Sequence, residues 1–437
     1  MKPTSRRTFL KHGVVAATAL SGLTSAMPVH AADNNVLKVG LVGCGSRGLG
    51  AVKDAFSIDS NIHLTAVGDA FADKAAAAVA ALKKDEQVGS RIAVTPETTF
   101  GGLDAYKNVI DNCDVVFLCQ TPHFRPMSLR YAVEKGRHIF CEKPVAVDGA
   151  GVKDVLESAK IAREKKLQLV SGLCYRYDPN ILDMIKRIQD GAIGDVLSVR
   201  ANFLTGAVWT RSRQPGDTEM MYQIRNWYNF TWLSGDFNVE QAVHSLDKSM
   251  WALGDKTPAF AYGLGGRMRR TGEHAAGDIY DSMGVAYEYP NGRTLISFCS
   301  QLSTCFAERE EYVLGTKGTA ALMKGQITGE NKFVQKKVSG NRFQLEHDTL
   351  FKAIRSGGAV QHNDGEFMAN STMITILGRL ACYTGKRLSW DEALNMETPT
   401  RPTGYTKDSN PPTLPDENGR YKVEIPGLGL VYHQTVR

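Results

Sequence analysis

The sequence predicts an N-terminal α/β domain with a parallel sheet, followed by an α+β domain in which strands succeed one another directly. With 437 residues, the chain is too long for one ordinary domain. From Val36 onward, short β-rich runs alternate with helical stretches of about 10–15 residues, as in a sheet covered by helices on both faces. Further along the chain, strands follow strands without crossover helices, which suits an antiparallel sheet.

The first half contains five predicted strands that alternate with five predicted helices. The strands are Leu37–Val42, His63–Gly68, Asp114–Cys119, His138–Cys141 and Gln168–Gly172. The helices are Ala51–Phe56, Ala72–Lys84, Leu103–Asp111, Pro126–Lys135 and Gly151–Lys165.

A glycine-rich loop follows the first strand directly. Gly43, Gly45 and Gly48, with Ser46 and Arg47 between them, form a G-x-G-x-x-G pattern. Glycines allow a tight turn and close approach to a pyrophosphate, which the N-terminus of the next helix can bind. The pattern therefore indicates a Rossmann domain.

The choice of dinucleotide depends on the end of the second strand. Asp69 lies there and can bind a ribose 2′-hydroxyl, whereas its charge repels a 2′-phosphate. This favours NAD over NADP, although Arg47 could contact either form.

Two further polar motifs follow strands of the predicted sheet. They are Thr121-Pro122-His123 and Glu142-Lys143-Pro144. Both lie at carboxyl ends of strands, where open α/β sheets bind ligands. A lysine there could stabilise a developing alkoxide, and the alternative is a solvated strand end.

The glycine loop, Asp69 and these two motifs, in this order and spacing, resemble the Gfo/Idh/MocA oxidoreductases. The resemblance implies a large, mostly antiparallel C-terminal sheet and an active site in the cleft between the domains. It also implies action on sugars or cyclitols. The expected cofactor-binding residues are Gly43, Gly45, Ser46, Arg47, Gly48, Asp69, Thr121, Pro122, His123, Glu142, Lys143 and Arg176.

The second half is predicted to begin with the helix Asn180–Gln189 and the strand Val196–Phe203. A β-hairpin follows, formed by Gly284–Tyr289 and Thr294–Ser300. Residues 345–383 are helical in pattern, with a loop at 359–363. The expected domains are a signal peptide at 1–32, a cofactor domain at 33–160, a substrate and oligomerisation domain at 161–397, and a proline-rich arm at 398–437. Such an arm lies over the body or clasps a partner subunit.

The candidate catalytic residues of the second half lie in the segment 235–247. If this segment is helical, Glu240 and His244 share one face and Asp247 follows one turn later. The family resemblance assigns substrate binding and proton transfer to this region, although relatives often carry Asp at position 240 and Gly at position 242. His244 is therefore predicted to be the general base, with Lys143 stabilising the alkoxide and Glu240 orienting His244 or a substrate hydroxyl.

Two other interpretations apply to these side chains. His244 could be a buried histidine without a catalytic role. A metal could bind Glu240, His244, Asp247 and the distant His274, but no H-E-x-x-H motif or cysteine pair supports it, and no metal is expected.

Aromatic and basic residues are concentrated just before this segment. Trp209, Arg225, Trp227 and Tyr228 could bind a carbohydrate, because aromatic faces stack on the C–H faces of sugars and arginine bonds hydroxyls. The alternative is that the tryptophans simply pack the domain.

The N-terminus resembles an export signal. Arg6-Arg7 precedes a mild apolar run and small residues at Ala31 and Ala32, which indicates the twin-arginine route and a periplasmic location. The net charge of +6 falls to about +2 without residues 1–32, so no nucleic-acid partner is expected. No later segment is apolar enough to span a membrane. The eight cysteines contain no C-x-x-C pair and are expected to be mostly buried free thiols.

These observations predict an NAD(P)-dependent oxidoreductase that acts on a small carbohydrate, as a homo-oligomer. Export favours a cofactor that is held tightly and recycled. A glycosidase that oxidises the sugar ring transiently would use the same residues. A non-catalytic sugar-binding protein that contains NAD is a third possibility.

Overall fold

A computed structural model describes residues 36–270 and 276–428. The predicted signal peptide and His274 lie outside these residues. The first domain is a six-stranded parallel sheet in the order β3-β2-β1-β4-β5-β6. Its elements are β1 (Leu37–Val42), α1 (Ser46–Ile58), β2 (Ile62–Asp69), α2 (Ala72–Lys83), β3 (Thr99–Gly101), α3 (Ala105–Asp111), β4 (Val115–Leu118), α4 (Arg125–Glu134), β5 (His138–Cys141), α5 (Gly149–Glu164) and β6 (Leu169–Ser171). The parallel sheet predicted from the alternating pattern is confirmed.

Three details of this domain differ from the sequence prediction. β6 is the sixth strand of the parallel sheet, so the predicted domain boundary at residue 160 is wrong and the first domain extends to Ser171. The edge strand β3 has three residues, too few to give an alternating pattern. α1 begins at Ser46 rather than Ala51, because the glycines of its first turns conceal the helical pattern.

The second domain contains a nine-stranded mixed sheet in the order β14-β13-β12-β11-β7-β10-β9-β8-β15. Only the β7–β10 pair is parallel within the described residues, so the mostly antiparallel sheet is confirmed. The predicted hairpin is β9 and β10, with Glu288 opposite Thr294. The elements are α6 (Pro179–Gln189), β7 (Val196–Thr205), α7 (Glu219–Arg225), α8 (Thr231–Ser234), α9 (Phe237–Glu240), α10 (Val243–Ala252), β8 (Phe260–Gly266), β9 (Ser282–Glu288), β10 (Thr294–Gln301), β11 (Glu308–Gly315), β12 (Gly318–Ala321), β13 (Gln326–Gly329), β14 (Phe333–Val334), α11 (Arg342–Arg355), α12 (Gly365–Thr384), β15 (Leu388–Ser389) and α13 (Trp390–Asn395).

Two long helices near the C-terminus connect the domains. α11 returns to the first domain and packs against α1 and β6, where Leu350 and Phe351 join the core of the parallel sheet. α12 packs against α5 on one side and against β8 and β9 on the other. Burial of apolar side chains on both sides of α12 stabilises the arrangement of the two sheets.

The proline-rich arm lies over its own chain, one of the two arrangements expected from its composition. The hydroxyl of Tyr421 donates to the Glu219 carboxylate at 2.5 Å, and the hydroxyl of Tyr280 donates to the carbonyl of Glu424 at 2.9 Å. Gln223 donates to the carbonyl of Thr413 at 2.8 Å. The arm therefore covers α7 and the adjoining part of the second domain.

The cysteines agree with the prediction of mostly buried free thiols. All eight cysteines are free thiols, and six of them are buried. In residues 36–270 and 276–428, no helix has the length and apolar character needed to cross a membrane.

Candidate active site

A cavity of about 630 Å³ lies where the two domains meet. The first domain contributes the glycine loop, the end of β2 and the ends of β4 and β5. The second domain contributes the loop after β7, the end of α7, the turn between α9 and α10, and one side chain of β11. The carboxyl ends of the parallel strands thus face side chains from the antiparallel domain.

The three glycines of the loop meet different spatial demands. Gly43 has φ +94°, and an added Cβ would lie 2.4 Å from the backbone nitrogen of Gln120. A Cβ on Gly48 would lie 2.1 Å from the carbonyl oxygen of Gly43. A Cβ on Gly45, in contrast, would have no atom within 4 Å, because this residue faces the open cavity. Two glycines therefore allow tight packing, and the third leaves room for a ligand.

The start of α1 fits a dinucleotide pyrophosphate. Its N-cap residue, Gly45, has no side chain to bind the exposed backbone N–H groups, and its first turn contains no acidic residue. Such a helix terminus attracts phosphate through its free N–H groups and its dipole. The open space at Gly45 lies at the same place, so the residues present fit the diphosphate of NAD.

Asp69 lines the cavity at the end of β2. Its carboxylate accepts the N–H of Cys44 at 2.8 Å and the N–H of Phe71 at 3.0 Å. These two bonds fix the carboxylate beside the glycine loop and leave oxygen lone pairs for further donors. The geometry is compatible with binding of ribose hydroxyls.

Arg47 is held by carboxylates from three elements. Its guanidinium lies 2.7 Å from Glu142, 3.4 Å from Asp54 and 3.8 Å from Glu346. Glu346 is fully buried, and burial together with the nearby Glu142 raises its pKa well above the usual range. Glu346 belongs to no sequence motif, and it reaches Arg47 because α11 returns to the first domain from a distant part of the chain.

Lys143 and Glu240 join the two domains at the wall of the cavity. The Lys143 ammonium donates to the Glu240 carboxylate at 2.8 Å and to the Glu240 backbone carbonyl at 2.6 Å. Both side chains are largely buried. Glu240 therefore orients Lys143, a role that the sequence did not suggest.

The segment 235–247 is not one helix. α9 ends at Glu240 and α10 begins at Val243, so the condition of a continuous helix is not met. Gly235 and Asp236 both have positive φ values, and the Asp236 carboxylate accepts the N–H of Tyr280 at 2.9 Å, which fixes this bend. Glu240 and His244 nevertheless both line the cavity.

His244 lies on the cavity wall with the Tyr175 ring against it, at a centroid distance of 5.4 Å. Its Nδ1 is buried and has no hydrogen-bond partner among the described residues. Burial, followed by the charges of Lys143, Lys248, Arg342 and Arg309, lowers the pKa of His244 well below its usual value. The imidazole is therefore neutral at neutral pH, which is the form that a general base requires.

Four residues expected at the site do not line this cavity, namely Pro122, His123, Arg176 and Tyr228. His123 is buried against the arm, where its Nε2 lies 3.0 Å from the Tyr405 hydroxyl, and burial lowers its pKa to about 4. Arg176 is ion-paired with Asp247 at 2.8 Å and with Asp255 at 2.7 Å. These contacts do not support a cofactor-binding role for Arg176, and they also take Asp247 away from the cavity.

The predicted aromatic cluster forms on the part of the cavity wall that the second domain contributes. Trp209 and Trp227 line the cavity with ring centroids 5.9 Å apart, and Tyr228 packs behind both. Arg225 also lines the cavity, but its guanidinium makes two bonds to Asp217 at 2.8 and 2.9 Å. A ligand could therefore contact the two tryptophan rings, whereas the adjacent Arg225 is already ion-paired with Asp217.

Further side chains line the cavity that sequence reasoning did not identify. The polar and aromatic ones are Phe71, Lys74, Tyr106, Gln120, Phe124, Arg125, Ser128, Phe203, Arg211, Gln241, Arg309 and Phe343. Gln120, Phe124, Arg211 and Gln241 adjoin or lie close to residues of the predicted motifs, whereas the others lie outside these motifs and are brought in by the fold. Among the residues that the structure describes, no group of three His, Cys, Asp or Glu side chains could hold a metal ion.

A parallel sheet that carries a glycine-loop cradle and a lysine at the end of a strand, with a neutral histidine facing them from the second domain, defines a dinucleotide-dependent oxidoreductase. Residues 37–172 match the Gfo/Idh/MocA family model described as the NAD-binding Rossmann fold of an oxidoreductase family. Residues 185–376 match the model of its C-terminal α/β domain. The chain therefore belongs to the Gfo/Idh/MocA oxidoreductase family.

Individual relatives are distant. The inositol 2-dehydrogenase of Rhizobium meliloti (strain 1021) is 28% identical over 285 residues, which are 65% of this chain and 75% of that protein. A glycosyl hydrolase family 109 protein of Streptomyces coelicolor is 27% identical over 221 residues, 46% of this chain and 45% of the relative. A levoglucosan dehydrogenase solved with NADH and levoglucosan has a TM-score of 0.61 at 18% identity, over 81% of this chain and 99% of that one. At this identity the structural likeness concerns the fold.

Proposed function

We propose that the protein oxidises a hydroxyl group of a sugar, cyclitol or related carbohydrate, with NAD as the hydride acceptor. The observation that carries this proposal is the meeting of Lys143, Glu240 and His244 at one wall of the cavity, beyond the glycine loop. Lys143 comes from the cofactor domain and the other two from the substrate domain. A substrate in this cleft would contact residues of both domains.

Each of these side chains has a defined task in the proposed reaction. His244, which is neutral and lines the cavity, accepts the hydroxyl proton. The Lys143 ammonium has three N–H donors, two of which are directed at Glu240, and the third can stabilise the developing alkoxide. When bound, the nicotinamide supplies the acceptor for hydride. Glu240 keeps Lys143 in the position needed for this contact.

The substrate class rests on the aromatic end of the cavity and on the relatives. Trp209 and Trp227 offer faces on which a sugar ring can stack. Two similar proteins are named as an inositol 2-dehydrogenase and a levoglucosan dehydrogenase, whose names refer to polyhydroxylated rings. Asp69 favours NAD over NADP, because its carboxylate repels a 2′-phosphate.

The test is reduction of NAD with a panel of sugars and cyclitols, followed by absorbance of the reduced nicotinamide and product analysis. The wild-type protein should form both reduced cofactor and a keto product, and His244→Ala should lose this activity. Absence of both products with every carbohydrate would refute the proposal.

We further propose that the protein is exported and carries its cofactor with it. The Arg6-Arg7 motif and apolar run support the twin-arginine route, which moves folded proteins to the periplasm. NAD is not freely supplied there, so a recycled, tightly held cofactor is needed. Protein purified without added nucleotide should release NAD on denaturation, and a nucleotide-free protein would contradict tight retention.

A second candidate function is glycoside hydrolysis through transient ring oxidation. The 27% identical relative named as a glycosyl hydrolase family 109 protein favours it. Oxidation of a ring hydroxyl acidifies the adjacent C–H, so that the leaving group can be eliminated, water added and hydride returned. A nitrophenyl glycoside would then release nitrophenol, with exchange of the C2 proton in deuterated water. Keto-sugar accumulation without nitrophenol would instead favour simple oxidation.

We also propose a homo-oligomer that uses the open face of the nine-stranded sheet. Tyr262, Ile296 and Phe298 are between 41% and 46% exposed, and Leu264 is 79% exposed. Pairing aligns Tyr262 with Ile296 across Ala286, and Leu264 with Phe298 across Gly284, so all four share one face. Exposed apolar surfaces of this kind are typical of subunit interfaces. Sedimentation of the wild type should give an oligomer that Phe298→Glu dissociates, and a monomeric wild type would exclude it.

A further inference from the structure

The charged side chains that the second domain contributes to the cavity are not all paired with a charge of opposite sign. The second domain contributes Arg211, Arg225, Glu240 and Arg309 to its lining. Asp217 neutralises Arg225, and Lys143 neutralises Glu240. Arg211 and Arg309 are left, and neither forms an ion pair within residues 36–270 and 276–428. Two guanidinium groups therefore remain available to a ligand.

Each of these arginines lies over an aromatic ring rather than beside an acid. The guanidinium of Arg211 lies 5.1 Å from the centroid of the Trp209 ring. That of Arg309 lies 5.2 Å from the centroid of the Phe203 ring, on the neighbouring strand β7. Stacking orients a guanidinium while leaving its N–H groups free for a planar anion.

The nearby acidic residues are used elsewhere. Side chains alternate along β11, so Glu308 and Glu310 lie on the opposite face from Arg309. Glu310 accepts the N–H groups of Met323 and Lys324. Glu311 is on the same face as Arg309, but it is fully buried against Lys248 at 2.7 Å. No carboxylate of the strand is thus available to neutralise Arg309.

Resting on the function proposed above, we infer that the substrate is an acidic carbohydrate whose anionic group, a carboxylate or a phosphate, is bound by Arg211 and Arg309. The ring would stack on Trp209 and Trp227, with the reacting hydroxyl directed to His244 and Lys143. Arginine binds both anions through paired N–H donors, and such charge-assisted bonds strongly favour an anionic ligand over a neutral one. Both arginines belong to the second domain, whereas the glycine loop that is expected to hold the cofactor phosphates belongs to the first.

The experiment compares matched pairs of sugars on the NAD-loaded protein by isothermal titration calorimetry. The pairs are glucose with glucuronate, galactose with galacturonate, and glucose with glucose 6-phosphate. The acidic member should bind at least about tenfold more tightly, and higher ionic strength should reduce this preference. The uronates test for a carboxylate site and the phosphate ester for a phosphate site.

The variants Arg211→Gln and Arg309→Gln, alone and together, test the assignment. Each should weaken binding of the acidic sugar, and the double variant should bind acidic and neutral sugars about equally. The affinity for NAD should not change. Arg163→Gln is the matched control, because Arg163 is exposed on α5 and lies outside the cavity lining.

Three results would overturn the inference: no tighter binding of any acidic sugar, a preference that persists in the double variant, or an equal loss of NAD affinity. The failure of the inference is distinct from that of the proposed function. Rapid oxidation of neutral sugars without acid preference would overturn only the inference. Arginine-dependent binding of acidic sugars without reduced cofactor would support the inference and refute the oxidoreductase proposal.

Discussion

The Lys143 ammonium donates to both the carboxylate and the backbone carbonyl of Glu240, at 2.8 and 2.6 Å. Lys143 follows a strand of the cofactor domain, and Glu240 ends a short helix of the substrate domain. Because the two residues belong to different domains, their bonds fix the width of the cleft at the reacting centre. In the proposed reaction, the same contacts hold the lysine near the substrate oxygen that develops negative charge.

Replacement of Lys143 by Met should lower kcat by about 10²–10³-fold, because the side-chain length is kept but the positive charge at the alkoxide is lost. Glu240→Gln keeps an oxygen acceptor for the lysine and should lower kcat by only about tenfold. Steady-state kinetics of both variants, with Arg163→Gln as control, show which variant loses more kcat. Equal losses in the two variants would mean that Glu240 does more than orient Lys143.

The glycine loop yields a matched pair of substitutions. Gly45→Ala should leave the melting temperature unchanged, since an added Cβ has no neighbour within 4 Å, yet it should raise the Kd for NAD at least about tenfold by filling phosphate space. Gly48→Ala should destabilise the fold by about 1–3 kcal/mol, because its Cβ would lie 2.1 Å from the Gly43 carbonyl oxygen. Thermal unfolding and nucleotide titration measure both effects. Unaltered NAD affinity in Gly45→Ala would place the pyrophosphate elsewhere.

Asp69→Asn should change cofactor preference. The substitution removes the negative charge but keeps an oxygen that can accept the N–H of Cys44 or Phe71. The affinity for NAD should fall about tenfold, because bonds from ribose hydroxyls to a charged group are stronger, whereas NADP should lose less or gain. Fluorescence titration with NADH and NADPH gives the ratio of the two Kd values. The same ratio in wild type and variant would exclude Asp69 from cofactor discrimination.

The parts of the site that could be predicted from the sequence are those encoded by local patterns. The glycine loop, Asp69 and Lys143 each stand at the end of a strand whose apolar run is recognisable, and strand ends in a parallel sheet converge on one edge. The spacing of Glu240 and His244 correctly brought both to the cavity although the helix between them is broken. The two residues are only four positions apart, so they remain neighbours even though a turn, rather than a continuous helix, joins them.

The parts that could not be predicted depend on contacts between distant segments. Glu346 reaches Arg47 only because α11 packs back onto α1, and Arg309 reaches the cavity only through the pairing of β11 with β7. Arg176 resembled a cofactor ligand, but the structure pairs it with Asp247 and Asp255. No local sequence pattern distinguishes an arginine that forms ion pairs with carboxylates in the folded protein from one that forms none.

His347 provides a test of burial that is separate from catalysis. Its ring packs against both Phe117 and Phe140, at centroid distances of 5.0 and 4.2 Å, and neither ring nitrogen has a hydrogen-bond partner in the part of the chain that the structure describes. Burial, and then the charge of Arg47, lower its pKa well below the usual value. The folded protein therefore resists protonation of this ring.

His347→Phe should make the protein less sensitive to acid. Below pH about 6.5 the unfolded chain binds a proton that the folded chain excludes, so wild-type stability falls as the pH decreases. At pH 5 this linkage costs at most about 2 kcal/mol, and the phenylalanine variant should not pay it. Urea unfolding of both proteins at pH 8 and pH 5 measures the difference, because all other titrating groups are common to them. If the two proteins lose the same free energy of unfolding between these pH values, His347 is not held neutral by its surroundings, and the aromatic packing around it does not exclude the charged ring.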